Sequence, residues 1–427
     1  MGIFDKKKRR VVVVGLDGFP YSLLEPLAAA GAVPRLAALA DAGHYARMTV
    51  TLPEISAVSW PSFATGVGPG GHGVFGFTDL KPGTYDLRFT NAADVKAPTI
   101  WDRLGRVGKR AVVINQPSTY PARAINGVMV AGFVAVDFDR AVMPPALRPE
   151  LRKLGYEIDV DTVKCREDHE LLAKQLVSTL AGRRAAAQFL WDREDWDYFE
   201  LVITGTDRLH HYMWDALADA AHPRHGVCLD YYREVDRVVG DLYDRAEAAG
   251  AAFYLLSDHG FCGVEQEFHL STWLVQEGYL SFEGPKADAL AALAPGSRAF
   301  ALDPNRIYFN VAGKYPRGSV RPGDAPALAA ELSDKLMAVT YGGRPVFRRV
   351  FRRDEIYEGP YAAQGPDLVA VAHNGFDVKA HLGKAEVFAR TNLVGMHTYD
   401  DAIFWTAATP PVNLRITDLA GVILANF

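Results

Sequence analysis

The chain has 427 residues, 49% hydrophobic and 23% charged, which is enough apolar material for a large buried core and too much chain for one small domain. A formal net charge of -5 and a pI near 6.2 give no overall basic field, and so argue against a protein that coats nucleic acid. The cysteines Cys165, Cys228 and Cys262 stand far apart without paired spacing and read as thiols of a reducing compartment, not as a disulfide framework.

In chain order, a basic run at residues 6–10 (KKKRR) precedes four valines, and Gly15 and Asp17 then end the apolar stretch. That stretch is too short for the apolar region of a signal peptide or for a membrane span. Residues 1–10 therefore read as a solvated basic tail. No other segment reaches the ~18 apolar residues that a span needs, so a cytoplasmic protein without a membrane span is expected.

Val11–Leu16 reads as a buried strand, and residues 21–42 carry helical apolar spacing broken by Gly31 and Pro34. Further strands are predicted at residues 111–115 (AVVIN), 127–131 (GVMVA), 198–204 (YFELVIT) and 252–257 (AFYLLS). Long helices are predicted over about 170–191 and 230–249. Strands alternating with helices predict an α/β fold, a mostly parallel central sheet with helices on both faces. In such sheets ligands bind beyond the C-terminal ends of the strands. The stretches of about 136–196 and about 280–345 break the rhythm, the second holding a strand (306–311) and a helix (325–339). Both read as insertions in one domain spanning 11–427.

Acidic and imidazole groups collect after the strands. Asp17 follows the first strand, and Asp207 and His211 lie four residues apart after another, on one face of any helix formed there. Asp258 and His259 end a third strand, and His397 lies in a Gly-containing segment that reads as a loop. Singly, each has an ordinary explanation as a turn, a cap or a salt bridge. Together, three Asp and three His above one sheet edge form a ligand set for two divalent cations, zinc above all.

The order LDG, then TG-x-x-P-x-x-HG, TDR-x-x-H, SDHGF and G-x-H resembles the alkaline phosphatase superfamily, and within it the type I phosphodiesterase/nucleotide pyrophosphatase branch. The resemblance runs on through NRIYFNVAGKYPRGSV and RRDEIYEGPYAAQGPDLVAV, from Val11 to Thr409. It implies that the counterparts of Asp17, Asp258, His259 and the nucleophile hold one metal, and those of Asp207, His211 and His397 the other. The implied ions are zinc, with manganese or iron as substitutes. The nucleophile lies nine residues before the Thr of the TG motif, which is Ser56 here. Ser replaces the usual Thr and keeps the hydroxyl. Ser59 and Ser62 compete for the role, as helix-start hydroxyls otherwise serving caps or packing.

The implied activity is cleavage of a phosphodiester or phosphoanhydride in a small-molecule phosphoester substrate through a phosphoseryl intermediate. A serine hydroxyl needs a base or a metal to become a good nucleophile, and a two-metal site supplies that. One departure concerns specificity. Pyrophosphatases of the branch carry an Asn after the HG motif that contacts a phosphoryl oxygen, and Phe77 stands there. A phosphomonoesterase and a catalytically silent metal-binding module are the alternatives, whereas the absence of an Arg in SAVSWPSFA argues against a sulfatase. His72 is expected to order the loop after the nucleophile helix and His210 to pack behind a ligand, while His269 reads first as a structural residue, with substrate contact as the alternative. Trp60, Trp214 and Trp273 are expected in the core or in a pocket wall. The oligomeric state is not legible.

Overall fold

The computed structural model describes residues 9–284 and 289–427. Residues 1–8, with most of the predicted basic tail, lie outside the described residues. Eight strands form the central sheet, and a two-stranded ribbon stands beyond one end of it. In chain order they are β1 (Val11–Leu16), β2 (His44–Met48), β3 (Ala111–Ile114), β4 (Gly127–Val130), β5 (Val142–Met143), β6 (Tyr198–Ile203), β7 (Ala252–Leu256), the ribbon strands β8 (Gly260–Gly263) and β9 (Gly395–Thr398), and β10 (Ala402–Thr406).

The sheet order is β2-β10-β7-β1-β6-β3-β4-β5. The five strands β7, β1, β6, β3 and β4 run parallel, while β10 and β5 pair antiparallel with their neighbours. The helices that matter for the site are α1 (Pro34–Ala42), α2 (Ser56–Thr65), α3 (His169–Arg193), α4 (Gly205–Ala218) and α5 (His225–Ala249).

The valine run of β1 needs no alternation because both of its faces are covered. Val12, Val14 and Leu16 join the core formed with α1, α3 and α5. Val11 and Val13 face the opposite core, with Trp60 and Phe63 of α2. Gly15 lies on that second face, and a Cβ there would stand 2.4 Å from Cη2 of Trp60. The glycine therefore lets α2 settle onto the strand end. A separate core lies under a four-stranded antiparallel sheet built from Ala299–Leu302, Arg306–Phe309, Phe347–Arg352 and Leu368–Ala372, covered by the helix Ala325–Met337.

The helical stretch of 21–42 is broken where the sequence places the break, since Gly31 adopts φ 65° and Pro34 opens α1 as its first residue. One expectation needs correction. His397 is not in a loop: it sits on β9, paired with Phe261 of β8. Gly395 makes that strand possible, because a Cβ there would lie 2.3 Å from the His210 carbonyl oxygen. A ribbon of four residues a side carries too little periodicity to be read from sequence.

Candidate metal centre

The register of the sheet does the first part of the assembly. Gly15 of β1 pairs with Leu256 of β7, so the residues two further on, Asp17 and Asp258, emerge side by side at the C-terminal edge. The turn after β1 is tied down on several sides. Gly18 donates its N–H to Oδ1 of Asp258 (3.0 Å), and the Thr206 hydroxyl donates to the Asp17 carbonyl (2.6 Å). His210 Nδ1–H donates to the Gly18 carbonyl (3.0 Å), and the Tyr232 hydroxyl donates to its Nε2 (2.5 Å). His210 thus packs behind the site, and burial lowers its pKa to about 3, keeping it neutral.

α2 brings Ser56 in as its first residue. The Ser56 Oγ–H donates to Oδ1 of Asp17 (3.2 Å), and its oxygen lies 3.3 Å from Nε2 of His259. That Nε2 is 3.6 Å from Asp17 Oδ1 and 3.4 Å from Asp258 Oδ2. Trp60, fully buried, donates its indole N–H to the other Asp17 oxygen (3.2 Å). Ser59 is enclosed, with no partner for its hydroxyl among the described residues, and Ser62 is bonded to the Val58 carbonyl and to His72. Of the three hydroxyls, only Ser56 meets the acidic cluster.

The second set forms beside it. Nε2 of His211 and Nε2 of His397 lie 3.4 and 3.3 Å from Asp207 Oδ1 and 3.0 Å from each other. His259 Nε2 is 3.9 Å from the same Asp207 oxygen, so the two sets adjoin. The tautomers are fixed from behind. Nδ1–H of His211 donates to the Gly395 carbonyl (3.1 Å), that of His397 to the Glu54 carbonyl (2.9 Å), and that of His259 to the Gly260 carbonyl (3.0 Å). All three Nε2 lone pairs therefore point inward. Phe261 supports the rings of His211 and His397 edge-on.

Lone pairs and carboxylate oxygens thus face each other across the site. Asp207 Oδ1 and Asp258 Oδ2 are buried and have no hydrogen-bond donor among the described residues. Burial pushes the Asp17 carboxyl well above its ordinary value, with Asp258 and Asp207 adding to it. Burial likewise pushes Asp258 up to about 7, against the steadying Gly18 N–H. Burial acts on Asp207 too, but His211, His397 and Arg208 outweigh it and hold this carboxyl well below the usual range. Burial lowers His211 to about 4 and His397 well below its ordinary value. Unpaired oxygens beside imidazoles that resist protonation form a donor set that fits metal cations, because cations answer both groups at once.

Sequence reading missed the support around Asp207. Arg208 donates to Asp207 Oδ2 (2.8 Å) and makes a forked pair with Asp159 (closest contact 2.7 Å), its guanidinium lying over the Phe133 ring. The signal was present as the Arg adjacent to Asp207, but its partner Asp159 is remote in sequence. Phe77 packs edge-on against Phe133 and lines a cavity of about 280 Å³ that opens onto His211 and His397. His269 does not face this cavity. It is buried on a neighbouring strand, bonded to the Glu386 carbonyl (2.8 Å) and set against Glu267 (3.3 Å). His72 is buried between Ser62 and the Val74 amide, Trp214 stacks on Phe261, and Trp273 lies in the second core.

No helix among the described residues is long and apolar enough to cross a membrane. No curated protein matches the chain. Among solved structures it is similar to phosphonoacetate hydrolase from Sinorhizobium meliloti, at 18% identity and a TM-score of 0.67, covering 98% of this chain and 96% of that one. It is also similar to murine ectonucleotide pyrophosphatase/phosphodiesterase 5, at 15% identity and a TM-score of 0.56, covering 98% and 94%. These likenesses show a shared fold, a large and mostly parallel central sheet flanked by helices. The sequence model of the type I phosphodiesterase / nucleotide pyrophosphatase family matches residues 11–400. The chain belongs to that metal-dependent family and is a phosphoester hydrolase of its kind.

Proposed function

We propose that the protein cleaves a phosphodiester or phosphoanhydride at a two-metal site, with Ser56 as the nucleophile. One observation carries the reading. Side-chain donors converge in two adjoining sets, with spacings of 3.2 to 3.6 Å in one and 3.0 to 3.4 Å in the other. Four ligands bonded tetrahedrally at ~2.0 Å stand about 3.3 Å apart, so each set is spaced as though around a common centre. Asp17, Ser56, Asp258 and His259 would hold one ion, and Asp207, His211 and His397 the other. Zinc suits this imidazole and carboxylate set best, with manganese and iron as substitutes. Bound there, the ions would supply charge to activate the attacking hydroxyl and to stabilise the leaving oxygen.

The chain's own contribution is positioning. Asp17 accepts a hydrogen bond from the Ser56 hydroxyl and is placed to take its proton as the oxygen attacks phosphorus, the proton then passing to the leaving oxygen or to solvent. The P–O bond to the leaving group breaks as the Ser56 ester forms, and water then cleaves that ester and restores the hydroxyl. At the start of α2 the Val58 and Ser59 amides turn back to the Ile55 carbonyl, which leaves the Ser56 and Ala57 amides at the open end. Such amides favour phosphoryl oxygens. Residues 11–427 act in this reading as one catalytic unit, with the stretches 136–196 and 280–345 as its insertions.

Elemental analysis should find about two metal equivalents, and chelation should abolish hydrolysis of an aryl phosphodiester. Ser56→Ala should lower kcat by ~10³-fold or more with both ions retained, while Ser59→Ala stays mild. A metal-free protein whose activity ignores chelator would overturn the reading.

A further inference from the structure

We infer that the cavity beside His211 and His397 selects an ester group that carries hydrogen-bond donors and no negative charge, an amino alcohol or a polyol. The inference rests on the phosphohydrolase reading and names the substrate class of that site. Five charged side chains line the cavity: Glu54, Asp303, Asp377, Arg348 and Lys379. Both cations are already engaged. Lys379 lies 2.7 Å from Asp377, and Arg348 lies 2.8 Å from Asp400. Glu54 and Asp303 have no cation within ion-pair distance among the described residues. The Asn305 amide donates to Glu54 at 3.5 Å, and one Asp303 oxygen accepts the Ala380 N–H at 2.8 Å.

Asn305 adds to the same bias. It lines the cavity, is 4% exposed, and its Oδ1 is buried with no donor among the described residues. Two carboxyl groups without an ion pair of their own among the described residues and an unsatisfied carbonyl oxygen form a surface of acceptors. An N–H or O–H group placed there answers them, whereas a carboxylate or a second phosphate is repelled and leaves them unpaired. About 280 Å³ accommodates a small alcohol of this kind. Phe77 and Ile55, on the near wall, offer nothing to an anion.

The test compares p-nitrophenyl phosphodiesters that share one reacting phosphate and one chromophore. Their second ester group is methyl, 2-aminoethyl, 2,3-dihydroxypropyl or 2-carboxyethyl. The expected order in kcat/KM places the aminoethyl and dihydroxypropyl diesters above methyl, and carboxyethyl ~10-fold or more below aminoethyl. Aminoethyl ahead of dihydroxypropyl identifies charge as the main term, and parity identifies hydrogen bonding. Glu54→Gln and Asp303→Asn should each narrow the gap between aminoethyl and carboxyethyl more than they change the methyl reference. Carboxyethyl hydrolysed as fast as aminoethyl overturns the inference and leaves the phosphohydrolase reading intact. So does a parallel fall on every diester with the gap unchanged in both variants. No hydrolysis of any diester overturns the phosphodiester reading of the site, and this inference with it.

Discussion

The two donor sets adjoin, yet the fold builds them in different ways. Asp17, Asp258 and His259 leave neighbouring parallel strands whose register already sets them side by side, and Ser56 starts the helix packed on those strands. All four are between 0% and 6% exposed. Asp207, His211 and His397 come from α4 and from the ribbon strand β9, which lies far away in sequence, and the two imidazoles remain 18% and 16% exposed beside the cavity. The inner set is thus fixed by backbone hydrogen bonding. The outer set depends on the docking of a ribbon and stays open to solvent. An enclosed, backbone-built set should release its ion slowly, and an open one should give its ion up first.

The largest effect expected from breaking this asymmetry comes from the outer ligands. His211→Ala and His397→Ala should each lose about one metal equivalent, keep the other, and lose ~100-fold or more in kcat while the fold persists. Chelator titration of the unaltered protein should show two phases, the first matching the ion that these variants lack. Simultaneous loss of both ions would show that the sets are one cooperative unit.

A smaller effect follows from the clamp behind Asp207. Arg208 holds Asp207 Oδ2 and is itself held by Asp159, so only Oδ1 is left to face His211 and His397. Asp159→Asn weakens the clamp without touching a ligand. It should lower affinity at the outer site ~10–100-fold by competitive chelation, the range typical of groups that orient ligands, and leave the inner ion unchanged. Arg208→Lys keeps the charge but loses the fork, and should fall in the same direction. Equal loss at both sites would place the clamp's influence on the whole edge.

The same asymmetry explains what was legible in the sequence. The inner set announced itself because β-branched runs ending in Asp are local signals, and a parallel sheet puts polar residues at its C-terminal edge. Asp207 and His211 were legible for a similar reason, being one helical turn apart. His397 was found by its place in the motif order, but its strand was not, since β9 exists only by pairing with β8. Asp159 and the acceptors of the cavity could not be read at all. They come from segments whose positions are set by tertiary packing, and nothing local to Asp159 or Asn305 points toward the site. Helix ends such as 225 in place of about 230 were missed by a few residues, as ragged polar termini commonly are.

The smallest expected effect serves as a control, because it concerns a buried carboxyl that belongs to neither set. Glu200 lies in the middle of β6, fully buried, with its register partners Val13 and Val113 on either side. The Tyr198 hydroxyl donates to its Oε2 (2.6 Å), and Oε1 has no partner among the described residues. Burial pushes this carboxyl up to about 8. A raised folded-state pKa means that the folded protein binds the proton more tightly than the unfolded chain, whose value lies near 4.3. The associated stability is fully present below that unfolded value and is lost as pH rises toward about 8. Glu200→Gln keeps the shape and removes the titration, so it should flatten the fall in Tm across this range. At pH 8.5 it should raise Tm by about a few degrees, and at pH 4 it should change little. Turnover at a fixed temperature should be unaffected, since Glu200 sits in mid-strand beside Val13 and Val113, short of the strand ends where both donor sets gather. A Gln variant that is less stable at every pH would mean that Glu200 is ionised in the folded protein and that its charge is satisfied.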